Sequence, residues 1–136
     1  MAAGYSGTPL AKKLGIKKDS IILILNQPNN YVDFFSSFPD NVIIQENCEN
    51  EKVEFIHIFV STIRELEYYY SLAKSNLKKN GILWISWPKK TSKIMTEIDK
   101  FIVMKYGLDH GLVDTKVAAI DENWSGHKFV YRLKDR

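Results

Sequence analysis

The side chains of this chain that could bind a ligand stand where runs of apolar residues end. Asn26, Ser61 and Lys89 each follow such a run, and each brings a hydrogen-bond donor. Amide, hydroxyl and ammonium groups together suit an anionic small molecule. The same places supply the full set of candidate ligand-binding residues, which is Asn26, Gln27, Ser61, Thr62, Trp87, Lys89, Lys90, Ser92, Asp121 and Trp124.

These candidates share a site only if the apolar runs are neighbouring parallel strands. Residues 20–25, 55–60 and 81–87 are apolar at nearly every position, which is typical of central strands buried on both faces. Ligands of open α/β sheets bind at the carboxyl ends of the strands, where the strand order reverses. The sequence therefore predicts a crevice there, and places Lys89 and Lys90 beside a helix N-terminus.

The purely structural alternative needs no ligand. In it Trp87 packs at the edge of the core, Pro88 sets a turn and the lysines are solvated. Polar loops of this kind rarely identify a site by themselves, so both interpretations stay open.

The remaining elements follow from periodicity and from capping residues. Thr62 and Glu65 form a capping box that opens a long helix, which Asn80 and Gly81 end. The other predictions are helices at residues 8–14, 31–38 and from residue 91 or 92 to Gly107, and strands at residues 42–44, 116–121 and 128–133.

These elements predict the α/β class: a three-layer, Rossmann-like sandwich with a mostly parallel six-stranded sheet of order 2-1-3-4-6-5. One antiparallel strand lies near the C-terminal edge. This is the arrangement of class I methyltransferases with one strand and its helix deleted. The link from the second to the third strand has only roughly eight residues, which is short for a parallel crossover. The second strand could therefore be displaced or antiparallel.

Length and composition limit the number of domains and the class of protein. With 136 residues, of which 45% are hydrophobic, the chain suits one domain over residues 1–136 without a metal or disulfide. The apolar runs are too short to cross a membrane, and the N-terminus does not resemble a signal peptide, so we expect a cytoplasmic protein. Cys48 is the only cysteine, which excludes an internal disulfide and a cysteine metal cluster.

Other titratable residues give weaker signals. His57 lies inside an apolar strand, so a core histidine with a hydrogen-bond partner is the favoured interpretation. Asp121 and Glu122 are adjacent, and a turn role is favoured because neighbouring strand residues point to opposite faces. His110 and His127 have no neighbours at metal-ligand spacing, so no metal site is predicted.

The sequence predicts no cofactor, because nucleotide and S-adenosylmethionine folds place glycines after the first strand and residues 26–30 contain none. The alternative is an S-adenosylmethionine-dependent methyltransferase with an atypical, glycine-poor site around Asn26, Glu46 and Ser61. Glu46 is also explained as one solvated charge in an acidic loop.

Six lysines are predicted to lie at the opposite edge of the sheet, because they precede strands. They are Lys12, Lys13, Lys17, Lys18, Lys78 and Lys79. Such a basic edge could bind an acidic macromolecule, including nucleic acid, with salt-sensitive affinity. Ordinary solvation of helix ends is the simpler interpretation.

Separated motifs across the chain resemble one bacterial family of unknown function. They lie at residues 4–16, 84–90, 111–117 and 124–126. The family is the one termed domain of unknown function three thousand and fifty-two. The resemblance implies a small Rossmann-like protein and no particular activity.

Three functions are therefore compatible with the sequence. The first is a non-enzymatic ligand-binding or interaction module, the second is the atypical methyltransferase, and the third is a nucleic-acid-associated protein that uses the lysine edge.

Overall fold

The computed structural model describes residues 8–29, 31–49 and 51–136. Its helices are α1 Leu10–Leu14, α2 Ile63–Asn76 and α3 Lys100–Asp109. Its strands are β1 Ile21–Leu25, β2 Ile43–Gln45, β3 Val53–Phe59, β4 Leu77–Pro88, β5 Leu112–Ala119 and β6 Trp124–Tyr131. Two short 3-10 helices lie at Tyr31–Phe34 and Leu133–Asp135. Within these ranges no helix is both long and apolar enough to cross a membrane.

The six strands form one sheet in the order β2-β1-β3-β4-β6-β5. Neighbouring strands from β2 through β4 are parallel, whereas β6 is antiparallel to both β4 and β5. The predicted fold class and strand order are confirmed. The short link before β3 does not displace β2, which pairs with β1 in parallel over only three residues.

Alternation along the strands divides the core into two faces. On the face covered by α2 and α3, Leu23, Ile56 and Leu83 are buried. On the face covered by α1, Ile22 and Trp84 are buried, and Trp84 Nε1 donates to the carbonyl oxygen of Leu14 at 2.8 Å. We call these the α2/α3 face and the α1 face.

The α2/α3 face is packed closely at Gly107. A Cβ atom at this position would lie 2.2 Å from the Phe129 ring of β6. Only glycine lets α3 approach the sheet this far, which brings the first turn of α3 down beside the carboxyl end of β4.

Two predicted helices differ from the structure. The helix after Thr62 ends at Asn76, and Leu77 already belongs to β4, where it is fully buried and pairs with Val53. The β3–β4 register shifts between Val53 and Phe55, and a Cβ atom at Gly81 would lie 3.0 Å from the carbonyl oxygen of Lys78 and 3.1 Å from that of Glu54. The helix predicted at residues 31–38 is only one short 3-10 helix, Tyr31–Phe34.

The prediction of a helix from residue 91 or 92 is also wrong. Residues 91–98 are irregular, and α3 begins only after Asp99, whose side chain accepts from Ile102 N at 2.9 Å. Ser92 Oγ bonds to the carbonyl oxygen of Lys89, and Thr96 Oγ1 accepts from Ile98 N. Serine and threonine side chains that bond nearby backbone in this way compete with helix formation. Met95, which a helix with this periodicity would bury, is 91% exposed.

Candidate functional site

The ends of β1 and β3 are joined by a carboxylate from α2. Glu65 Oε1 accepts hydrogen bonds from Ser61 N at 2.8 Å and Ser61 Oγ at 2.9 Å, and Glu65 Oε2 accepts from Asn26 Nδ2 at 3.2 Å. Asn26 Nδ2 also donates to the carbonyl oxygen of Phe59 at 2.8 Å. Asn26 and Ser61, which the sequence placed in one crevice, are therefore connected, but through Glu65 and not directly.

The charge of Glu65 is stabilised by this arrangement. Burial alone would raise the pKa of Glu65, but hydrogen bonds from Ser61, Asn26 and Thr62 outweigh it and lower the pKa. The capping box signalled the local role of Glu65, and Thr62 Oγ1 accepts from Glu65 N at 3.0 Å as predicted. Its contact with Asn26 is tertiary, and no local pattern indicates it.

The irregular segment before α3 is fixed to the same strand end. Thr96 Oγ1 and Glu97 N both donate to the carbonyl oxygen of Ser61 at 2.9 Å. Glu97 Oε1 accepts from Ile63 N at 2.8 Å. These three bonds hold residues 96–97 against the start of α2.

A pocket of about 440 Å³ opens on the α2/α3 face, beyond the end of β4. Its walls include Trp87, Lys89, Lys90, Lys100, Val117 and Ser125, and we call it the Trp87 pocket. Trp87 is only 6% exposed and forms an apolar wall. Of the predicted candidates, Trp87, Lys89 and Lys90 line this pocket, whereas Lys100, Val117 and Ser125 were missed because they come from distant elements.

The remaining predicted ligand-binding residues have other structural roles. Asp121 Oδ1 accepts from the backbone N of Asn123 and Trp124 at 2.8 Å, which is the turn role favoured from sequence. Trp124 lies edge-on to Phe59 on the α1 face, with ring centroids 5.1 Å apart, and so cannot share a site with Trp87. Ser92 closes the turn on Lys89, and Gln27 is half-buried beside Asn26. The single crevice expected from sequence is thus split between two faces.

His57 is the core histidine that the sequence suggests. Its Nδ1 lies 2.7 Å from Tyr31 Oη, its Nε2 lies 2.7 Å from Ser86 Oγ, and its ring stacks on Phe59. Burial lowers the pKa of His57 to about 3 and raises that of Tyr31 far above its usual value. All three polar side chains are buried, so the group cannot reach a substrate.

A second histidine borders the Trp87 pocket. His127 Nε2 donates to Asp114 Oδ2 at 3.0 Å, and its side chain is 2% exposed. His127 pairs across the sheet with Val117, a pocket residue, and its ring lies 6.3 Å from that of Trp87. Nδ1 has no hydrogen-bond partner among the described residues. Burial lowers the pKa of His127 more than the Asp114 contact raises it.

The predicted lysine edge is correct only in part. Lys17 and Lys18 directly precede β1, and Lys78 and Lys79 begin β4, so these four do lie at the amino ends of parallel strands. Lys13, however, lies on α1, and its carbonyl oxygen accepts from Lys116 Nζ in the middle of β5. Lys12 and Lys13 therefore belong to the α1 face, because α1 packs across the sheet instead of ending at its edge.

The strand order and the flanking helices define a Rossmann-like α/β fold, which is similar to that of S-adenosylmethionine-dependent methyltransferases. A SAM-dependent methyltransferase from Aquifex aeolicus is similar to the chain with a TM-score of 0.61 and 14% identity, over 88% of this chain and 86% of that one. A Methanococcus jannaschii fibrillarin, a pre-rRNA processing protein, gives a TM-score of 0.54 and 18% identity, over 90% and 73%.

A third structure, the DhpI–SAH complex, gives a TM-score of 0.55 and 10% identity, over 87% of this chain and 78% of that one. At these identities the likeness shows the fold alone. No protein-family model matches the sequence, and no curated protein matches it. Membership of the bacterial family that the sequence resembles therefore stays a prediction.

These neighbours do not support the prediction that no cofactor binds. Both amide hydrogens of Asn26 and both donors of Ser61 are already used by Glu65 and by the Phe59 carbonyl oxygen. The turn after β1 brings no glycine. Asn26 and Ser61, arranged in this way, have none of these donors left for the carboxylate of S-adenosylmethionine, so these two residues do not fit that part of the cofactor. Glu46, the third residue named for it, is exposed after β2.

Proposed function

We propose that this domain is a ligand-binding module that holds a small anionic molecule in the Trp87 pocket. The observation that carries the proposal is the convergence of Lys89, Lys90 and Lys100 on one pocket beside a buried indole. The loop after β4 supplies two of these lysines and the first turn of α3 supplies the third.

The charge balance of the pocket favours an anion. Asp99 is the one carboxylate in its lining, and Asp99 Oδ1 is already occupied in capping α3. Among the described residues, none of the three lysines has a carboxylate within 4.0 Å. Lysine ammonium groups bind carboxylates and phosphates through charge-assisted hydrogen bonds, which are stronger than neutral ones.

The size and the apolar wall of the pocket narrow the ligand class. About 440 Å³ lies within the range of small-molecule sites. Trp87 and Val117 add an apolar surface to the lining that the lysines share. The ligand class that matches both is a small carboxylate or phosphate with a flat apolar part.

Thermal unfolding with benzoate, phenyl phosphate and inorganic phosphate tests the proposal. A ligand at a hundred times its dissociation constant adds about 2.7 kcal/mol to the free energy of unfolding. We expect phenyl phosphate to raise the midpoint more than inorganic phosphate does, because only the former uses the Trp87 wall. Equal midpoint shifts with phenyl phosphate and inorganic phosphate would contradict the proposed pocket. If none of the three compounds shifted the midpoint, the proposal that the domain binds a small anion would be contradicted.

A matched pair of variants locates the site. The double variant Lys89→Gln, Lys100→Gln should weaken phenyl phosphate binding by roughly tenfold or more, since each charged hydrogen bond contributes about 1.5 kcal/mol or more. The double variant Lys93→Gln, Lys134→Gln removes the same charge from exposed positions outside the pocket and should change the affinity less than about twofold.

The methyltransferase remains the second candidate, favoured by the fold of the neighbouring structures. It requires S-adenosylhomocysteine to raise the midpoint and Asn26→Ala to abolish that shift. A shift with S-adenosylhomocysteine that survives Asn26→Ala would place the compound elsewhere in the molecule.

A further inference from the structure

A second pocket, of about 670 Å³, lies on the α2/α3 face near the opposite edge of the sheet. It is bounded by the second half of α2, the end of α3 and the end of β6. Its lining includes Lys52, Tyr70, Lys74, Tyr106, His110 and Tyr131, and we call it the tyrosine pocket. It shares no lining residue with the Trp87 pocket.

We infer that the tyrosine pocket binds a nucleotide unit, with the phosphate held by Lys74 and Lys79 and the base stacked on the free face of His110, whose other face packs on Tyr106. This site is independent of the proposed function, which rests on other residues at the other edge.

Two ammonium groups converge on the ring of Tyr131, a lining residue of the tyrosine pocket. Lys79 Nζ lies 4.3 Å and Lys74 Nζ lies 5.9 Å from the centroid of the Tyr131 ring. Among the described residues neither lysine has a carboxylate within 4.0 Å, whereas nearby Lys78 pairs with Glu54 and Lys105 pairs with Asp109. Two like charges at one ring repel each other, and a phosphate between them would replace that repulsion with attraction.

The position of Lys74 is set by the backbone around it. A Cβ atom at Gly111 would lie 2.7 Å from Lys74 Nζ, so the ammonium group sits directly against this glycine. Tyr131 Oη donates to the carbonyl oxygen of Lys74 at 3.3 Å. Helix α2, the turn at Gly111 and strand β6 therefore place the ammonium at the pocket wall.

Another part of the pocket lining is an ordered aromatic stack. The rings of Tyr106 and His110 are parallel within 20° and 3.9 Å apart, and Tyr70 meets Tyr106 edge-on at 5.0 Å. His110 Nδ1 donates to the carbonyl oxygen of Tyr106 at 2.7 Å, and Tyr70 Oη donates to that of His110 at 3.0 Å. His110 is exposed, so its ring can stack with a planar base.

A stacking surface close to paired ammonium groups is the chemistry that recognises a base with its phosphate. Free nucleotides and single-stranded nucleic acid both offer this unit. Lys17 and Lys18 lie at the same edge of the sheet and would add backbone contacts only for the polymer.

Isothermal titration with uridine monophosphate and fluorescence anisotropy with a labelled single-stranded oligouridylate test the site. Lys74→Gln, Lys79→Gln should weaken binding by roughly tenfold or more, and His110→Ala by roughly tenfold. The glutamine variants retain most of the lysine stem, and a melting curve of each variant verifies that it is folded. The control Lys12→Gln, Lys13→Gln removes equal charge from the α1 face and should change affinity less than about twofold.

The two binding experiments distinguish a free nucleotide from a nucleic-acid polymer as the ligand. Binding of uridine monophosphate as tightly as the oligonucleotide assigns the site to free nucleotides, and binding of the oligonucleotide alone assigns it to the polymer. Absence of both, or binding that Lys74→Gln, Lys79→Gln leaves unchanged, overturns the inference. Neither of these results bears on the Trp87 pocket, because the double variant Lys89→Gln, Lys100→Gln tests that pocket separately.

Discussion

At the scale of single residues, the buried chain of Tyr31, His57 and Ser86 shows how a fully enclosed polar group becomes part of a core. In a neutral imidazole one nitrogen donates and the other accepts, so both partners are satisfied whichever tautomer is present. A protonated ring would place an uncompensated charge between Phe55 and Phe59. The chain therefore has a stabilising role and makes stability depend on pH.

The pH dependence has a definite sign. The pKa of His57 falls from its usual 6.5 to about 3 in the folded protein, so between these values only the unfolded chain binds the proton. Stability must then decrease as the pH falls through this window, by up to about 1.4 kcal/mol per pH unit. Urea unfolding across the window should show this slope reduced by about that amount in His57→Gln.

A control separates titration from lost packing. Ser86→Ala removes one hydrogen-bond partner and should cost about 1 kcal/mol or more, yet it retains the histidine and hence the slope. Every other side chain that binds protons is the same in all three proteins, so the difference between variants isolates His57. An unchanged slope in His57→Gln would show that His57 does not stay neutral through this window.

Glu65 supports a second prediction at the residue scale. Glu65→Ala removes the acceptor of Ser61 and Asn26, and it should lower the free energy of unfolding by about 1–2 kcal/mol. Glu67→Ala, at an exposed position of the same helix, should change it by about 0.5 kcal/mol or less. Chemical denaturation measures both, and equal losses would show that the Glu65 contacts do not stabilise the strand ends.

At the scale of elements, the segment at residues 91–99 is where sequence and structure disagree most. Its apolar residues have helical spacing, but Ser92 and Thr96 divert the backbone and Asp99 starts the helix later. Ile98 is buried while Met95 is solvated. Periodicity describes which residues suit one helical face. It cannot account for hydrogen bonds to the carbonyl oxygen of Ser61, which lies far away in the sequence, between β3 and α2.

The anchor at Thr96 gives a prediction for this segment. Thr96→Val keeps the shape of the side chain but removes the bonds to the Ser61 carbonyl oxygen and from Ile98 N. We expect a loss of about 1 kcal/mol and faster amide exchange over residues 92–99. Thr91→Val, at an exposed position in the same loop, is the control and should leave exchange unchanged. Equal exchange in the two variants would show that Thr96 is not the anchor.

At the scale of the whole molecule, the sequence was sufficient for the fold class, the strand order and the burial of His57. Uniformly apolar strands and the capping box at Thr62 carry that information locally. The site was predicted less well, because Lys100, Val117 and Ser125 reach the Trp87 pocket only through α3, β5 and β6. Trp124 was predicted to share the site but does not line the Trp87 pocket, because at its position in β6 its side chain lies on the α1 face.

The molecule thus has a Rossmann-like fold similar to that of methyltransferases. Glu65 joins β1 to β3, and beyond β4 lies an open pocket whose lysines, among the described residues, have no carboxylate within 4.0 Å. One sheet presents a lysine-lined pocket at one edge and an aromatic, basic pocket near the other.

An NMR titration of the amide and indole signals with phenyl phosphate and, separately, S-adenosylhomocysteine tests the central claim most directly. We expect phenyl phosphate to shift the signals of Trp87, Lys89, Lys100 and Ser125 in a saturable manner. We expect S-adenosylhomocysteine to leave Asn26 and Ser61 unchanged, because their donors are engaged by Glu65. Saturable shifts at Asn26 and Ser61 with S-adenosylhomocysteine, and none at Trp87 with phenyl phosphate, would contradict the account and support the methyltransferase.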